Sequence, residues 1–306
     1  MTLTSVAIAA MMPNMIQYTM IPMVVPIANW YGLTSTTLVN LCCFINFITA
    51  PFMTYFVIGL LQRYSLYMLL RFAVTLQFIG SMLRMYTFVN GEFWPILLGH
   101  FICALTGPFC FVSCTIFTTN WFNEKERATA TAIVTTGASL GTGITFAIDM
   151  HYTSLPELNI NEALYEIMSV QNIMFLAVWL GFLIFFKEKP ERPPSAAAEA
   201  PVQMVNFFDI FDVIKNNSNF TILAIIFALK QATLTAFGGL MSDVLSPFGY
   251  TASQIAQLGV IFFVCGVTGA ILVTIVLDKT HAFKYTLVTL TAAIAATIIQ
   301  VTFFID

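Results

Sequence analysis

The stretch TILAIIFALKQATLTAFGGL, residues 221–240, carries no charged side chain except Lys230, which stands beside Gln231 at its centre. A helix rises 1.5 Å per residue and bilayer hydrocarbon is about 30 Å thick, so about 20 such residues make one crossing. Whether this is a crossing or a buried soluble helix depends on the rest of the chain. Of 306 residues, 58% are hydrophobic and 9% charged, with 30 Phe and 15 Met. A soluble domain carries about a quarter charged residues. There is too little polar surface here to face water, and the chain is read as an integral membrane protein.

Nine segments have the length and apolarity of a span: 4–28, 38–61, 67–88, 94–119, 128–149, 168–186, 219–242, 254–277 and 283–304. Backbone polar groups in lipid must be satisfied within the element, so the spans are α-helices and the fold class is all-α. Pro13, Pro22 and Pro26 bend span 1. Such a bend is tolerated where neighbours or a water-lined cavity answer the freed carbonyls. The first apolar run has no basic residue ahead of it, the first being Arg63, so it reads as a retained span and not a cleaved signal.

Charge gives the orientation. Connections after spans 2, 4, 6 and 8 hold Arg63, Arg71, Lys125, Arg127, Lys187, Lys189, Arg192, Lys215, Lys279 and Lys284, while those after the odd spans hold Arg84 alone. By the positive-inside rule the basic connections and the N-terminus are cytoplasmic, and the acidic connection 150–167 lies outside. The plasma membrane is the favoured location. A net charge of −3 gives no reason to expect a nucleic-acid partner.

The connection 187–218 divides the chain into six spans (1–186) and three (219–306). It opens on KEKPERPPSAAAEAP, a Pro/Ala-rich linker, and closes on FFDIFDVIKNN, whose Phe207, Phe208, Phe211 and Ile214 suit a helix lying on the membrane surface. The six cysteines, Cys42, Cys43, Cys103, Cys110, Cys114 and Cys265, all fall in apolar runs and read as small buried hydrophobes without disulfide, metal or cofactor. Two bundles joined by a cytoplasmic linker are the layout of a repeat-built transporter. A weak echo supports it: GLLQRYSLYMLLR at 59–71 and IVLDKTHAFKYTL at 275–287 both place a short basic turn after an even span, the second keeping Asp278.

Several strings resemble one family. IQY at 16–18, YG at 31–32, NWFNEKERATATA at 120–132, KEKPERPPS at 187–195 and LDKTHAFKYT at 277–286 look like the feline leukaemia virus subgroup C receptor-related transporters, solute carrier family 49 of the major facilitator superfamily. The resemblance implies a helical bundle with a central cavity lined by helices 1, 4, 7 and 10, and it reaches the first nine of the family's twelve helices. It also implies export of haem, or movement of choline and ethanolamine. The Trp, Tyr and Gln that build the choline site in those relatives align with Met15, Thr235 and Ser139 here, and none matches.

Candidate solute-binding residues are Lys230, Gln231, Asn14, Gln17 and Ser139. A central Lys costs about 2.5–3.5 kcal/mol on insertion scales, which marks a cavity-facing charge and favours an anionic or zwitterionic solute. Asn14 and Gln17 flank the bends of span 1, and Ser139 lies in GASLGTG at 137–143, whose small residues permit close helix packing. Asn46 and Gln77 read as bonds between helices. His100 is a lone intramembrane histidine, either a proton relay, a ligand or a hydrogen-bonded interior residue. Glu126, Arg127 and Asp278 are candidate gating charges at the basic end. No His/Asp/Glu cluster or Ser–His pairing suggests an enzyme. The expected function is a secondary transporter of a small organic solute working by alternating access. The alternative is a non-transporting subunit or receptor-like scaffold, partnered by another membrane chain.

Overall fold

The computed structural model describes residues 2–187, 208–280 and 282–304. Each apolar run is helical. Span 1 is α1 (Thr2–Tyr18), a 3-10 turn (Ile21–Met23) and α2 (Val24–Trp30); span 2 is α3 (Thr37–Leu61). Span 3 is α4 (Leu66–Arg84) with α5 (Thr87–Asn90), and span 4 is α6 (Trp94–Ala104) with α7 (Gly107–Trp121). Spans 5 and 6 are α8 (Glu124–Thr153) and α9 (Ile160–Phe185). After the short exposed α10 (Asp209–Asn216), span 7 is α11 (Ser218–Gly239) with α12 (Met241–Leu245), span 8 is α13 (Ala252–Thr280) and span 9 is α14 (Phe283–Phe304). Eight helical stretches among the described residues are long and apolar enough to cross a bilayer, and α14 adds an apolar Lys284–Gln300.

The Pro/Ala-rich linker and Phe207 lie outside the described residues, so the surface helix is seen from Phe208 onward. Phe208 and Phe211 on its start are exposed, and Phe208 packs edge-on against Tyr55 at 6.1 Å.

Three readings of the sequence need correction. The connection 150–167 is mostly helix: α8 runs to Thr153 and α9 begins at Ile160. Asn159 accepts from the Asn161 and Glu162 N–H groups while Glu162 accepts from the Asn159 N–H, a capping box that starts span 6 well before its apolar run. Arg84 is not a loop charge but the last residue of α4, wholly buried. Cys265, unlike the other five cysteines, is exposed.

Spans 1–6 pack around Met12, Met15, Ile16, Phe117, Phe175 and Phe182. The Trp179 indole donates to Thr75 Oγ1 at 2.9 Å and stacks on Phe78 at 5.2 Å, joining α9 to α4. The glycine-rich run of span 5 does what small residues allow in a membrane, where helix association rests on close packing. A Cβ on Gly141 would stand 2.5 Å from the Met11 carbonyl, and one on Gly137 would stand 2.8 Å from that of Ala7. Two residues beyond Gly141, and about 200° around the helix, Gly143 receives the Phe263 ring of α13, so α8 packs α1 on one face and the second half of the chain on the opposite face. The halves also meet in an apolar cluster of Tyr18, Ile21, Cys43 and Phe146 against Met241, Leu245, Ile255 and Val260. This cluster lies toward the end of the bundle that bears the odd connections, where Asn40 also donates to Asp243.

Forcing a side chain between α1 and α8 is overpacking of the kind that costs about 1–3 kcal/mol. Gly141→Leu is therefore expected to lower the thermal unfolding midpoint in detergent, while Gly181→Ala, where a Cβ meets nothing within 4 Å, leaves it unchanged. Equal midpoints for the two variants would contradict this packing.

Candidate functional site

Pro22 has no N–H to give the Tyr18 carbonyl, and span 1 parts between Tyr18 and Ile21. The Thr19 N–H turns to the Ile16 carbonyl at 3.4 Å, which deprives the Met15 carbonyl of its helical donor. In hydrocarbon an unanswered carbonyl costs several kcal/mol, so side chains must take over. Thr19 Oγ1 donates to Met15 O at 2.7 Å and Thr145 Oγ1, from α8, donates to it at 3.2 Å. His100 stands with Nε2 3.1 Å from Ile16 O and Nδ1 2.9 Å from Ile96 O. A neutral imidazole has one N–H, so it answers one of these carbonyls at a time. His100 is thus a buried tether between α6 and the broken span.

Span 4 is broken as well, at Leu105–Thr106, and the two breaks meet across α3. The Asn46 amide donates to Gln17 Oε1 at 2.8 Å, one residue before the break in span 1. On its other side Asn46 Oδ1 faces Gly107, where a Cβ would come within 3.1 Å of it. Left over are Gln17 Nε2 and Asn46 Oδ1, one donor and one acceptor, buried and without partners. A third such atom is Thr235 Oγ1 on α11. Gly239 of α11 abuts Cys43 and Phe44. Because α11 and α3 run antiparallel, Thr235, one turn back, comes level with Asn46 and Phe47 one turn on. Beside the break, the Tyr18 and Phe146 rings lie 6.1 Å apart at 58°. Two interrupted spans, spare amide and hydroxyl groups and two aromatic faces thus converge on the seam between the halves.

The residues singled out in the sequence are distributed as follows. Gln17 is at the junction. Asn14 is half-buried one turn away and donates to the Ala138 carbonyl at 2.8 Å, binding α1 to α8 next to Ser139. Ser139 is exposed, its hydroxyl 3.4 Å from Thr135 O. Lys230 and Gln231 are exposed on α11. At 100° per residue, Gln231 falls within about 40° of Thr235 around the helix, whereas Lys230 is turned about 140° away. Glu126 is exposed; Arg127 is half-buried, with Nε and Nη2 enclosed and unpartnered. The side chain of Asp278 lies outside the described residues. Gln77 makes no helix-to-helix bond through its amide, both of whose atoms are buried without partners; only its backbone carbonyl is used, by the Cys103 thiol at 3.4 Å.

A buried polar cluster that the sequence reading missed lies behind the break. Arg84 Nη2 donates to Gln171 Oε1 at 3.0 Å and to Ser81 Oγ at 3.3 Å; Gln171 Nε2 donates to Thr19 Oγ1 at 2.8 Å. Ser81 also bonds Asn172. Asp149 of α8 lies within electrostatic reach of Arg84 yet neither of its oxygens has a partner. Spacings of 87 and 152 residues between bonded partners leave no mark in a single sequence.

A family profile described as Major Facilitator Superfamily matches residues 5–305. The chain is 26% identical over 239 residues to the choline/ethanolamine transporter flvcr2a of Danio rerio, covering 74% of this chain and 50% of that one. It is 26% identical over 223 residues to the choline/ethanolamine transporter FLVCR1 of Felis catus, covering 68% and 39%. The chain therefore spans about half the length of the curated relatives it matches. A bacterial homologue of the human lysosomal transporter Spinster, in an inward-facing and unoccupied conformation, superposes with a TM-score of 0.73 at 15% identity, covering 91% of this chain and 62% of that one.

Interhelical hydrogen bonds in membranes average about 0.6 kcal/mol in double-mutant cycles, with a maximum near 1.7. A cycle of Gln17→Leu and Asn46→Leu, read by unfolding in mixed micelles, is expected to give a coupling in that range. Strict additivity would show that the two amides do not hold the breaks together.

Proposed function

This chain belongs to the Major Facilitator Superfamily, and from that premise we propose that it is a secondary transporter whose solute binds where the two broken spans meet. The superfamily and the relatives point to a transporter and not an enzyme. The observation that carries the reading is the set of three spare polar atoms, Gln17 Nε2, Asn46 Oδ1 and Thr235 Oγ1, beside the Tyr18–Phe146 pair. Interrupted helices at the interface of two repeats are where carriers of this architecture bind solute. A protein keeps buried donors and acceptors unpaired at a cost of about 1–3 kcal/mol each, which a bound solute relieves.

The names of the relatives supply the solute class. Choline and ethanolamine each join a hydroxyl to an ammonium by a two-carbon bridge. The hydroxyl can both donate to Asn46 Oδ1 and accept from Gln17 Nε2 or Thr235 Oγ1. The ammonium suits the aromatic faces of Tyr18 and Phe146, an attraction worth about 0.5–2 kcal/mol. The proposal includes alternating access, for which the seam gives support: its apolar seal lies toward the odd connections, and opening there while closing at the basic end would expose the junction to each side in turn. Glu126, Arg127 and Asp278, which belong to the connections at that end, are the charges proposed to close it. On this reading the basic end and the N-terminus are cytoplasmic, the six spans and the three act as two bundles joined by 187–218, and the membrane is the plasma membrane.

Lys230 favours a second reading. An exposed ammonium at mid-span attracts an anionic or zwitterionic solute, haem carboxylates included.

Uptake into proteoliposomes separates the two. With radiolabelled choline and ethanolamine, Tyr18→Leu and Thr235→Val are each expected to raise KM about tenfold, with Lys230→Met close to wild type. If instead haem or small organic anions are taken up, and Lys230→Met abolishes that uptake, the choline-type reading is wrong.

A further inference from the structure

The proposed solute site does not use the buried charges behind the break. Asp149 is entirely enclosed, and both carboxylate oxygens lack a hydrogen-bond partner. Arg84, also fully enclosed, is the charged group that acts on it. The guanidinium nevertheless bonds Gln171 and Ser81, and its Nε and Nη1 are left free. Around Arg84 stand His100 and Cys103 from span 4 and Cys42 from α3. Of the elements packed on α8, α9 brings the neutral Gln171 and Asn172 to the cluster, α1 brings Tyr18 against Phe146, α7 brings the neutral Thr118 hydroxyl against Thr131, and α13 brings Phe263.

This arrangement has two self-consistent states. An ionised Asp149 enclosed without donors needs the guanidinium turned onto it, because an unpaired buried charge is among the costliest groups a protein can hold. A protonated Asp149 needs no cation, and leaves Arg84 to Gln171 and Ser81 as observed. Gln171 in turn donates to Thr19 Oγ1, which donates to the Met15 carbonyl at the break of span 1. Turning the guanidinium as a whole toward Asp149 draws Nη2 off Gln171 Oε1, and the Gln171–Thr19 bond that ties the broken span to α9 loses that support.

We propose that Asp149 is a proton-binding site whose occupancy switches Arg84 between the carboxylate and the Gln171–Thr19 tether of the broken span. The proton comes from water, adds to a carboxylate oxygen and returns to water; the charge on Arg84 is unchanged throughout. The chemistry is that of a site taking hydronium as its ligand. It does not depend on which solute the junction binds.

The test needs no transport. The purified full chain in lipid, labelled with 13C at the aspartate carboxyls, is examined by pH-difference infrared spectroscopy. A carboxyl C=O band that titrates, moves with the label and is lost in Asp149→Asn is expected. Arg84→Gln should displace its pH midpoint by about one unit or more. If Asp149→Asn fails to fold, Asp149→Glu serves instead: the titrating band should then no longer respond to aspartate labelling. A band insensitive to the label, one that survives Asp149→Asn, one still aspartate-labelled in Asp149→Glu, or no titrating carboxyl at all would overturn the proposal. Because uptake is not the readout, these results stand apart from success or failure of the solute assays.

Discussion

Hydrocarbon has no water to offer a backbone carbonyl, and a helix interrupted in mid-membrane must find its donors in side chains. Much of the architecture around span 1 can be traced to this constraint. Prolines part the helix, and Thr19, Thr145 and His100 converge on the Met15 and Ile16 carbonyls. Each donor comes from a different place in the chain, so the break is also the point where spans 4 and 5 are fastened to span 1. Gly137 and Gly141 let α8 come close enough for Thr145 to reach, and Gly143, on the opposite face of α8, accepts Phe263 from the second half.

The interruption serves as more than a bend. It brings the amides of Gln17 and Asn46 to the seam with one donor and one acceptor unspent, and Thr235 adds a hydroxyl from across it. The seam is apolar toward the odd connections and polar at mid-depth. Membership in the superfamily is what makes the proposed solute site at this seam a reading worth testing.

The fold was legible because each span is a long apolar run that nothing but a helix can satisfy in lipid, and because KEKPERPPS and NWFNEKERATATA resemble one transporter family. What a single sequence hid were partnerships across distance. Arg84, near the end of a span, reads as a loop charge by the positive-inside argument; its burial is explained by Gln171, which only folding brings alongside. The helical start at Ile160 was obscured by Glu157, Glu162 and Glu166, charges that suggest a loop although Glu162 caps the helix. Lys230 drew attention as the one cation inside an apolar run, but helical geometry turns it from the face that Gln231 and Thr235 share. Tyr18 and Phe146 are ordinary aromatics in the sequence and become a pair only through the packing of α1 on α8.

The central claim is that solute occupies the junction beside the break in span 1. Photo-crosslinking with a choline that carries a photoreactive group, followed by peptide mass spectrometry, addresses it directly. The account expects adducts on Tyr18–Met23, on Cys43–Phe47 and around Thr235, all displaced by excess choline. Adducts confined to the exposed face around Lys230, or a pattern indifferent to competing choline, would contradict it.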